Sequence, residues 1–382
     1  MRNVTLVIAV VIFSVVIGCR QDEPPTKKVV TDSVRPALDT AQKPDTNAVP
    51  TTVDTSVDSF ARVLAGVTPL KGHEQYATEM RSRIARFSSG ELQRMRSWAS
   101  SQLSRESASD VVFYPFSGPD ALNLLALFPD AKHYVMVAAE PAGTFPKLSR
   151  MHNDSLTTYL QSVAKATRLV YGLGYFITDS MRKDIRQTIV DGAVPLISLF
   201  LVQMGNTLLG YDRTVVQSSD SVPTQQVLHD LYFRRDSSGN VQRLTYIEAN
   251  IGNNVYMGHI PLPKNGALLK FLNDLPPCAT FVKSASYLMH TQGFSAIRNL
   301  VLQKSYSILQ DDSGIPYAAF DRTWSFSFYG EYQRPIRMFA GRYQEDLDSA
   351  MAQSTDIKPG LPFRYGYLFR KDGQNVIKAM KR

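Results

Sequence analysis

The apolar residues divide the chain into three parts. Residues 4–17 form one apolar run, residues 20–59 are rich in Pro, Thr, Asp, Ser, Val and Lys, and from Phe60 onward short apolar segments alternate with polar turns. The first run is too short for a membrane-spanning helix, which needs roughly 20 residues. The polar part cannot bury enough apolar surface to offset its ordering entropy. We therefore predict a signal segment over 1–18, a disordered tether over 19–59 and one globular domain over 60–382.

The period of the apolar positions in the globular part predicts alternating strands and helices. A strand at 110–116, a turn at 117–120, a helix at 121–128 and a strand at 133–139 together predict a parallel βαβ unit. Because this alternation continues along the chain, we predict an α/β fold with a mixed, largely parallel sheet and flanking helices.

The remaining elements are predicted from the same patterns. Further helices are predicted at 87–103, 155–167, 178–190, 267–272 and 294–303. Further strands are predicted at 169–175, 194–204, 280–284, 307–310, 323–332 and 363–369. Residues 227–235 and 241–250 flank a turn, and they predict one antiparallel hairpin. Ser88 and Glu91 form a capping-box pattern, which predicts the start of the helix at 87–103.

Composition excludes several classes of protein. The formal net charge is +8, but the basic residues are scattered and no nucleic-acid-binding motif is visible, so we expect no nucleic-acid partner. The six histidines are isolated and no HExxH sequence occurs, so we expect no metal site. No GxSxG sequence is present, which makes Ser117 a weak nucleophile. Cys278, the cysteine besides Cys19, is expected to be a buried apolar residue.

Carboxylates follow the predicted strands at the positions where α/β folds hold ligands. Asp120 lies in the turn after the first strand, Glu140 ends the second, and Asp311 and Asp312 follow the strand at 307–310. Carboxylates about 5 to 9.5 Å apart perform glycosidic acid–base chemistry. Neighbours on a strand point to opposite faces, so either aspartate at 311–312 would have to pair with Asp120 or Glu140. The alternative is that Asp311 and Asp312 only stabilise a turn.

Three further polar residues would complete a pocket beside these carboxylates. They are Lys283, His290 and Arg298. The alternative for each of them is a position on the solvated surface.

The sequence Val16-Ile17-Gly18-Cys19 resembles the lipobox of bacterial lipoprotein signal peptides. The resemblance implies cleavage before Cys19, acylation of that cysteine and attachment of the protein to a membrane of the bacterial cell envelope. Arg20 differs from the aspartate that retains lipoproteins in an inner membrane, so we expect the outer membrane, on its periplasmic or surface side. A short uncleaved anchor and an ordinary secretory signal remain alternatives.

Residues 114–141 resemble the first βαβ unit of Rossmann-like methyltransferases. The resemblance implies that Ser117, Gly118 and Asp120 form the loop under a cofactor and that Glu140 holds ribose hydroxyls. Pro119 departs from the pattern, because a second glycine normally stands there. Exported proteins also seldom meet soluble nucleotide cofactors, so we expect no cofactor.

Four segments resemble an uncharacterised group of bacterial exported proteins and lipoproteins. They are FYPFSGPDA, SASYLMH, LQDDSGIP and FYGEYQRPI. The resemblance implies the location but no activity. Two hypotheses about function remain. The first is a module that binds a small molecule, a polysaccharide or a protein. The second is an enzyme, either an envelope hydrolase or a methyltransferase-type domain.

Overall fold

The computed structural model describes most of the chain from residue 54 onward. The described residues are 54–103, 109–173, 192–218, 223–235, 239–250, 265–332, 334–335, 337–355, 357–358, 360–367 and 374–382. They lie within one compact unit, Val49–Arg382. Cys19, the signal segment, the tether up to residue 53 and the helix predicted at 178–190 lie outside the described residues.

Ten strands form one mixed sheet in the described part of the chain, in the order β3-β4-β5-β2-β1-β6-β7-β10-β8-β9. The strands are β1 Val111–Pro115, β2 His133–Ala138, β3 Asn206–Gln217, β4 Gln225–Arg235, β5 Val241–Glu248, β6 Cys278–Val282, β7 Ser305–Gln310, β8 Trp324–Gly330, β9 Ile357–Lys358 and β10 Asn375–Lys381. The five central strands, β5-β2-β1-β6-β7, are parallel to one another. Antiparallel pairings join β3 to β4, β4 to β5, and β10 to both β7 and β8.

Helices cover both faces of this sheet. Along the described residues they are α1 Thr55–Leu64, α2 Glu74–Phe87, α3 Gln93–Gln102, α4 Ala121–Leu127, α5 Asn153–Leu173, α6 Ala193–Gln203, α7 Gly266–Asn273, α8 Ser295–Lys304 and α9 Glu345–Gln353. Apolar residues of α1 to α6 form one core cluster with the sheet, and those of α7 and α8 form another. Strand β1 contributes side chains to both core clusters. Val112 and Tyr114 belong to the first, and Val111 and Phe113 belong to the second. The α/β class and the flanking helices are therefore confirmed.

The predicted βαβ unit is confirmed. Strands β1 and β2 pair in parallel with Val111 opposite His133, and α4 connects them. Asp120 caps α4, because its side chain accepts a hydrogen bond from the backbone N–H of Asn123. Every residue of α4 is buried, so this short helix is stabilised mainly by packing. The β4–β5 hairpin is also confirmed, although the sheet has further antiparallel pairings that the sequence did not predict.

The helix predicted at 87–103 does not begin at its predicted cap. Helix α2 runs directly into a π-helical turn, Ser88–Leu92, which leads into α3. Ser88 has helical backbone angles, so the Ser88 and Glu91 pair is not a capping box. The helical period behind this prediction does appear in α3, since Met95 and Ala99, four residues apart, are both buried.

Residues 194–204 were predicted as a core strand, and this is wrong. Residues 193–203 form α6, whose residues up to Val202 are all buried. A helix that is covered on every side has an unbroken apolar sequence, which periodicity cannot distinguish from that of a buried strand. Pro195 lies in the first turn of α6, where its missing N–H costs nothing.

Three other predictions are wrong. Residues 169–173 continue α5 instead of starting a strand, and residues 363–367 are not in a strand. Residues 55–59, assigned to the tether, begin α1. Asp54 caps that helix and Val57, Phe60 and Leu64 bury one side of it.

Candidate functional site

Polar side chains converge where the parallel strands end, and we call this region the carboxyl edge. Strands β2, β1, β6 and β7 are successive neighbours. Glu140 follows β2, Ser117 and Asp120 follow β1, Lys283 follows β6, and Asp311 and Asp312 follow β7. Parallel strands place their carboxyl ends on one side of a sheet, so the fold brings the predicted carboxylates, the loop with Ser117 and Gly118, and Lys283 to this edge.

Backbone strain is concentrated in two loops of the carboxyl edge. In the described part of the chain, the non-glycine residues with positive φ are Phe116, Ser284, Ser286 and Tyr287, at 51° to 58°. Such conformations cost on the order of 1–3 kcal/mol each and persist where the surrounding structure holds them. Tyr367 holds the loop after β6, because its hydroxyl accepts a hydrogen bond from the Ser286 N–H at 2.9 Å. Strained loops of this kind cluster at functional sites.

Glu140 lies against the loop after β1. Gly118 has φ +53°, and a Cβ built on it would lie 4.0 Å from the carboxylate carbon and both carboxylate oxygens of Glu140. The side chain of Glu140 is buried, and its backbone carbonyl accepts a hydrogen bond from the Tyr246 hydroxyl at 2.8 Å. The structure therefore places two of the predicted ligand-binding positions close together at the ends of neighbouring strands.

Asp120 is surrounded by donors. The Asn123 amide lies 2.8 Å from each carboxylate oxygen, and the Tyr114 hydroxyl donates at 3.2 Å. The ammonium of Lys283 lies 3.5 Å away, and both side chains of this ion pair are almost fully buried. Burial and then the charge of Asp120 raise the pKa of Tyr114, so Tyr114 remains a donor. Lys283 neutralises Asp120, which removes the cost of an isolated buried charge.

Asp311 joins the loops after β6 and β7. Its carboxylate accepts hydrogen bonds from the backbone N–H of Ser284 at 2.9 Å and of Ser313 at 3.0 Å, and from the Ser313 hydroxyl. Burial, and next the charge of Asp312, raise the pKa of Asp311 to about 6. Asp311 therefore changes its protonation state near pH 6, as an acid–base group would.

Asp312 has a separate set of partners. It accepts hydrogen bonds from the Tyr287 hydroxyl and, at 3.0 Å, from the Asn375 amide. Burial raises the pKa of Asp312. Each of the two neighbouring aspartates is held by its own loop contacts, so the two do not form a catalytic pair that shares one reacting atom.

Two buried polar atoms at the carboxyl edge have no hydrogen-bond partner among the described residues. They are the hydroxyl oxygen of Ser284 and Nε2 of His290. His290 packs edge-on against Tyr287, with ring centroids 5.1 Å apart, and burial lowers its pKa to about 4. Arg298 donates to the backbone carbonyl of Met289 at 2.8 Å. Of the three predicted pocket residues, Lys283 and His290 contact the edge cluster and Arg298 supports the chain beside it.

Sequence reasoning missed the tyrosines of this site. Tyr114, Tyr287 and Tyr365 surround the carboxylates, and burial followed by the charges of Asp311 and Asp120 raises the pKa of Tyr365. An aromatic residue in an apolar run indicates core packing, and only the order of the strands reveals that these hydroxyls face the carboxyl edge.

Cys278 lies at the start of β6 and is fully buried. Burial raises the pKa of its thiol, so it is not an activated nucleophile. Across the described ranges, the structure contains no group of His, Cys, Asp or Glu residues arranged to hold a metal ion. Within those same ranges, no helix is long and apolar enough to cross a membrane.

Comparisons with known proteins find no family model, no curated protein and no solved structure that matches this chain.

Proposed function

We propose that this chain is a lipid-anchored protein of the bacterial cell envelope whose α/β body binds a small ligand at the carboxyl edge. The anchor is Cys19, and the lipobox resemblance supports it. The ligand carries a nucleoside, and Glu140 accepts hydrogen bonds from its ribose hydroxyls at the carboxyl edge.

The order of the strands supports a ligand at this place. Numbered by their position along the chain, the five central strands have the order 3-2-1-4-5, which is the order of the doubly wound fold that binds nucleotides. Such folds hold the ligand outside the carboxyl ends of the strands, where successive connections turn to opposite sides. Here that point lies between β1 and β6.

The position of Glu140 beside Gly118 is the observation that carries the proposal. An acidic residue at the end of the second strand accepts hydrogen bonds from ribose hydroxyls in nucleotide-binding folds. Glu140 has that position, and Gly118 keeps the loop beneath it free of side-chain atoms. The strain at Phe116 is consistent with a loop held in a defined shape beside a ligand.

The hydrolase hypothesis receives less support. It requires two carboxylates that face one bond, at about 5 to 9.5 Å from each other. Asp120 is paired with Lys283, while Asp311 and Asp312 hold separate loops. The pKa of Asp311 is the one property that favours acid–base chemistry.

Titration calorimetry of the full chain in neutral detergent with S-adenosylmethionine, S-adenosylhomocysteine and adenosine tests the nucleoside proposal. We expect heat of binding for at least one of them. The substitution Glu140→Gln should weaken binding about tenfold or more, because a hydrogen bond to a charged group is lost. Glu331→Gln, which makes the same charge change at an exposed position, is the matched control and should bind normally. Absence of both heat and thermal stabilisation with all three compounds would overturn the proposal.

A further inference from the structure

A cavity of about 690 Å³ lies among α2, the π-helical turn, α3 and α5. Pockets for small molecules typically have volumes of about 300–1,000 Å³, so this cavity has the size of a ligand site. The residues that line it do not include Glu140, Asp120, Asp311 or Asp312. The cavity and the carboxyl edge therefore have none of these residues in common.

Positive charge dominates the lining of this cavity. Its arginines are Arg83, Arg86, Arg94, Arg168 and Arg364, and we call it the arginine cavity. Its acidic residues are Glu79 and Glu91, so the lining carries a net charge of +3. The positive charges produce an electric field that attracts anions, and surrounding protein of low dielectric constant concentrates that field.

The acidic residues leave part of this positive charge uncompensated. Glu79 pairs with Arg83, and Glu91 pairs with Arg94. Arg86 and Arg168 are exposed and have no acidic partner in the described part of the chain. Among the described residues, the side chain of Arg86 makes a long hydrogen bond, from Nε to the carbonyl of Ser82 at 3.3 Å. These two guanidinium groups are available to a ligand.

Local backbone geometry also favours a site here. Gly90 lies in the π-helical turn and lines the cavity, and π-turns inside α-helices occur frequently at functional sites. A Cβ at Gly90 would lie 3.7 Å from the guanidinium of Arg94. The Nε–H of Arg94 is buried without a partner in the described residues.

We propose that the arginine cavity binds a phosphate-bearing ligand. Guanidinium groups present planar pairs of N–H donors that match the oxygens of phosphate, and several of them together select phosphate groups. A net charge of +3 is balanced by two phosphate groups better than by one carboxylate. The rings of Phe87 and Tyr171, whose centroids lie 5.9 Å apart, form an apolar wall for the remainder of the ligand.

Inorganic pyrophosphate is the first probe, titrated by calorimetry into the full chain in micelles of a neutral detergent. We expect binding that weakens as salt is added, because screening reduces the attraction between exposed charges. The double variant Arg86→Gln and Arg168→Gln should weaken binding about tenfold or more. The matched control, Arg150→Gln and Arg322→Gln, removes the same charge from exposed positions outside the cavity and should bind as the wild type does.

A second arm distinguishes a soluble phosphate compound from a lipid headgroup. Phosphatidylglycerol is added to the micelles, with phosphatidylcholine as the comparison. Competition of phosphatidylglycerol with pyrophosphate indicates a lipid headgroup, and pyrophosphate binding without competition indicates a soluble ligand. Both results support a phosphate site. If neither probe binds, or if the double variant binds as the control does, the proposal is wrong. The variant Glu140→Gln should leave this binding unchanged, which separates it from the site at the carboxyl edge.

Discussion

Asp311 makes the stability of the folded protein depend on pH. Its folded-state pKa of about 6 lies above the usual value of 3.8. Between these two values the folded state retains a proton that the unfolded state releases. The contribution of this group to the free energy of unfolding is complete below about pH 4 and is lost as the pH rises through 6. Asp311→Asn, which stays neutral, should gain stability relative to the wild type by up to about 3 kcal/mol between pH 4 and pH 7.

Urea unfolding of both proteins at several pH values measures this difference. Asp154→Asn alters a carboxyl that is 91% exposed, and it should show no comparable change with pH. A difference between Asp311→Asn and the wild type that stays constant from pH 4 to pH 7 would contradict the assigned role of burial.

The site could be predicted from the sequence only in part. Asp120, Glu140, Asp311 and Asp312 follow buried strands, and strand ends can be recognised from apolar patterns. The partners of these carboxylates could not be predicted, because Tyr287 and Ser284 owe their positions to left-handed backbone conformations that leave no signal in the pattern of apolar residues.

Helix α6 is tied to the loop that carries Glu140. The backbone N–H groups of Ala193 and Val194 donate to the carbonyls of Pro141 and Ala142 at 2.9 Å. A Cβ at Gly192 would lie 2.3 Å from the backbone nitrogen of Gly143. The start of α6 therefore requires glycine for close packing on this loop.

The substitution Gly192→Ala should lower the free energy of unfolding by about 1–3 kcal/mol, because rigid backbone must move to admit the methyl group. It should also weaken ligand binding at Glu140. Gly341→Ala adds the same methyl group where no atom lies within 4 Å, and it should change stability by less than about 0.5 kcal/mol. Equal effects of the two substitutions, measured by chemical denaturation, would show that packing at Gly192 is unimportant.

The wrong assignments of elements have a common physical cause. Helix α6 is apolar on every side, so its sequence lacks the period of 3.6 residues that identifies a helix. At the π-helical turn, the chain continues through Ser88 although that residue suits a helix start. In both places packing against other elements decides the structure, and local sequence does not contain that information.

The lipid anchor that we propose at Cys19 would attach the protein to a membrane. Each buried CH₂ group of an acyl chain contributes about 0.8 kcal/mol, and two or more chains give stable attachment to a membrane. Cys19→Ala should release the mature protein from membranes or leave the precursor uncleaved. Cell fractionation with mass spectrometry of the amino terminus measures this. A correctly processed variant that stays on the membrane would rule out the lipid anchor.

The general architecture could be predicted better than the topology. Alternating strands and helices indicated the α/β class and one βαβ unit, but β3 and β10 were not predicted. Strand β3 is polar and partly exposed along much of its length, and β10 is short with a lysine near its middle. Their positions depend on pairing with strands far away in sequence, which no local pattern records.

The position of β10 also affects how the protein folds. Of the strands in the described residues, β10 comes last in the sequence, yet it lies between β7 and β8. Until residues 375–381 have been synthesised or translocated, the backbone N–H and C=O groups of β7 and β8 that face β10 have no partner strand. A chain that emerges amino end first therefore keeps a gap in its sheet until β10 has emerged. If the protein is exported as we propose, this delay would help to keep it unfolded during its passage through a membrane pore.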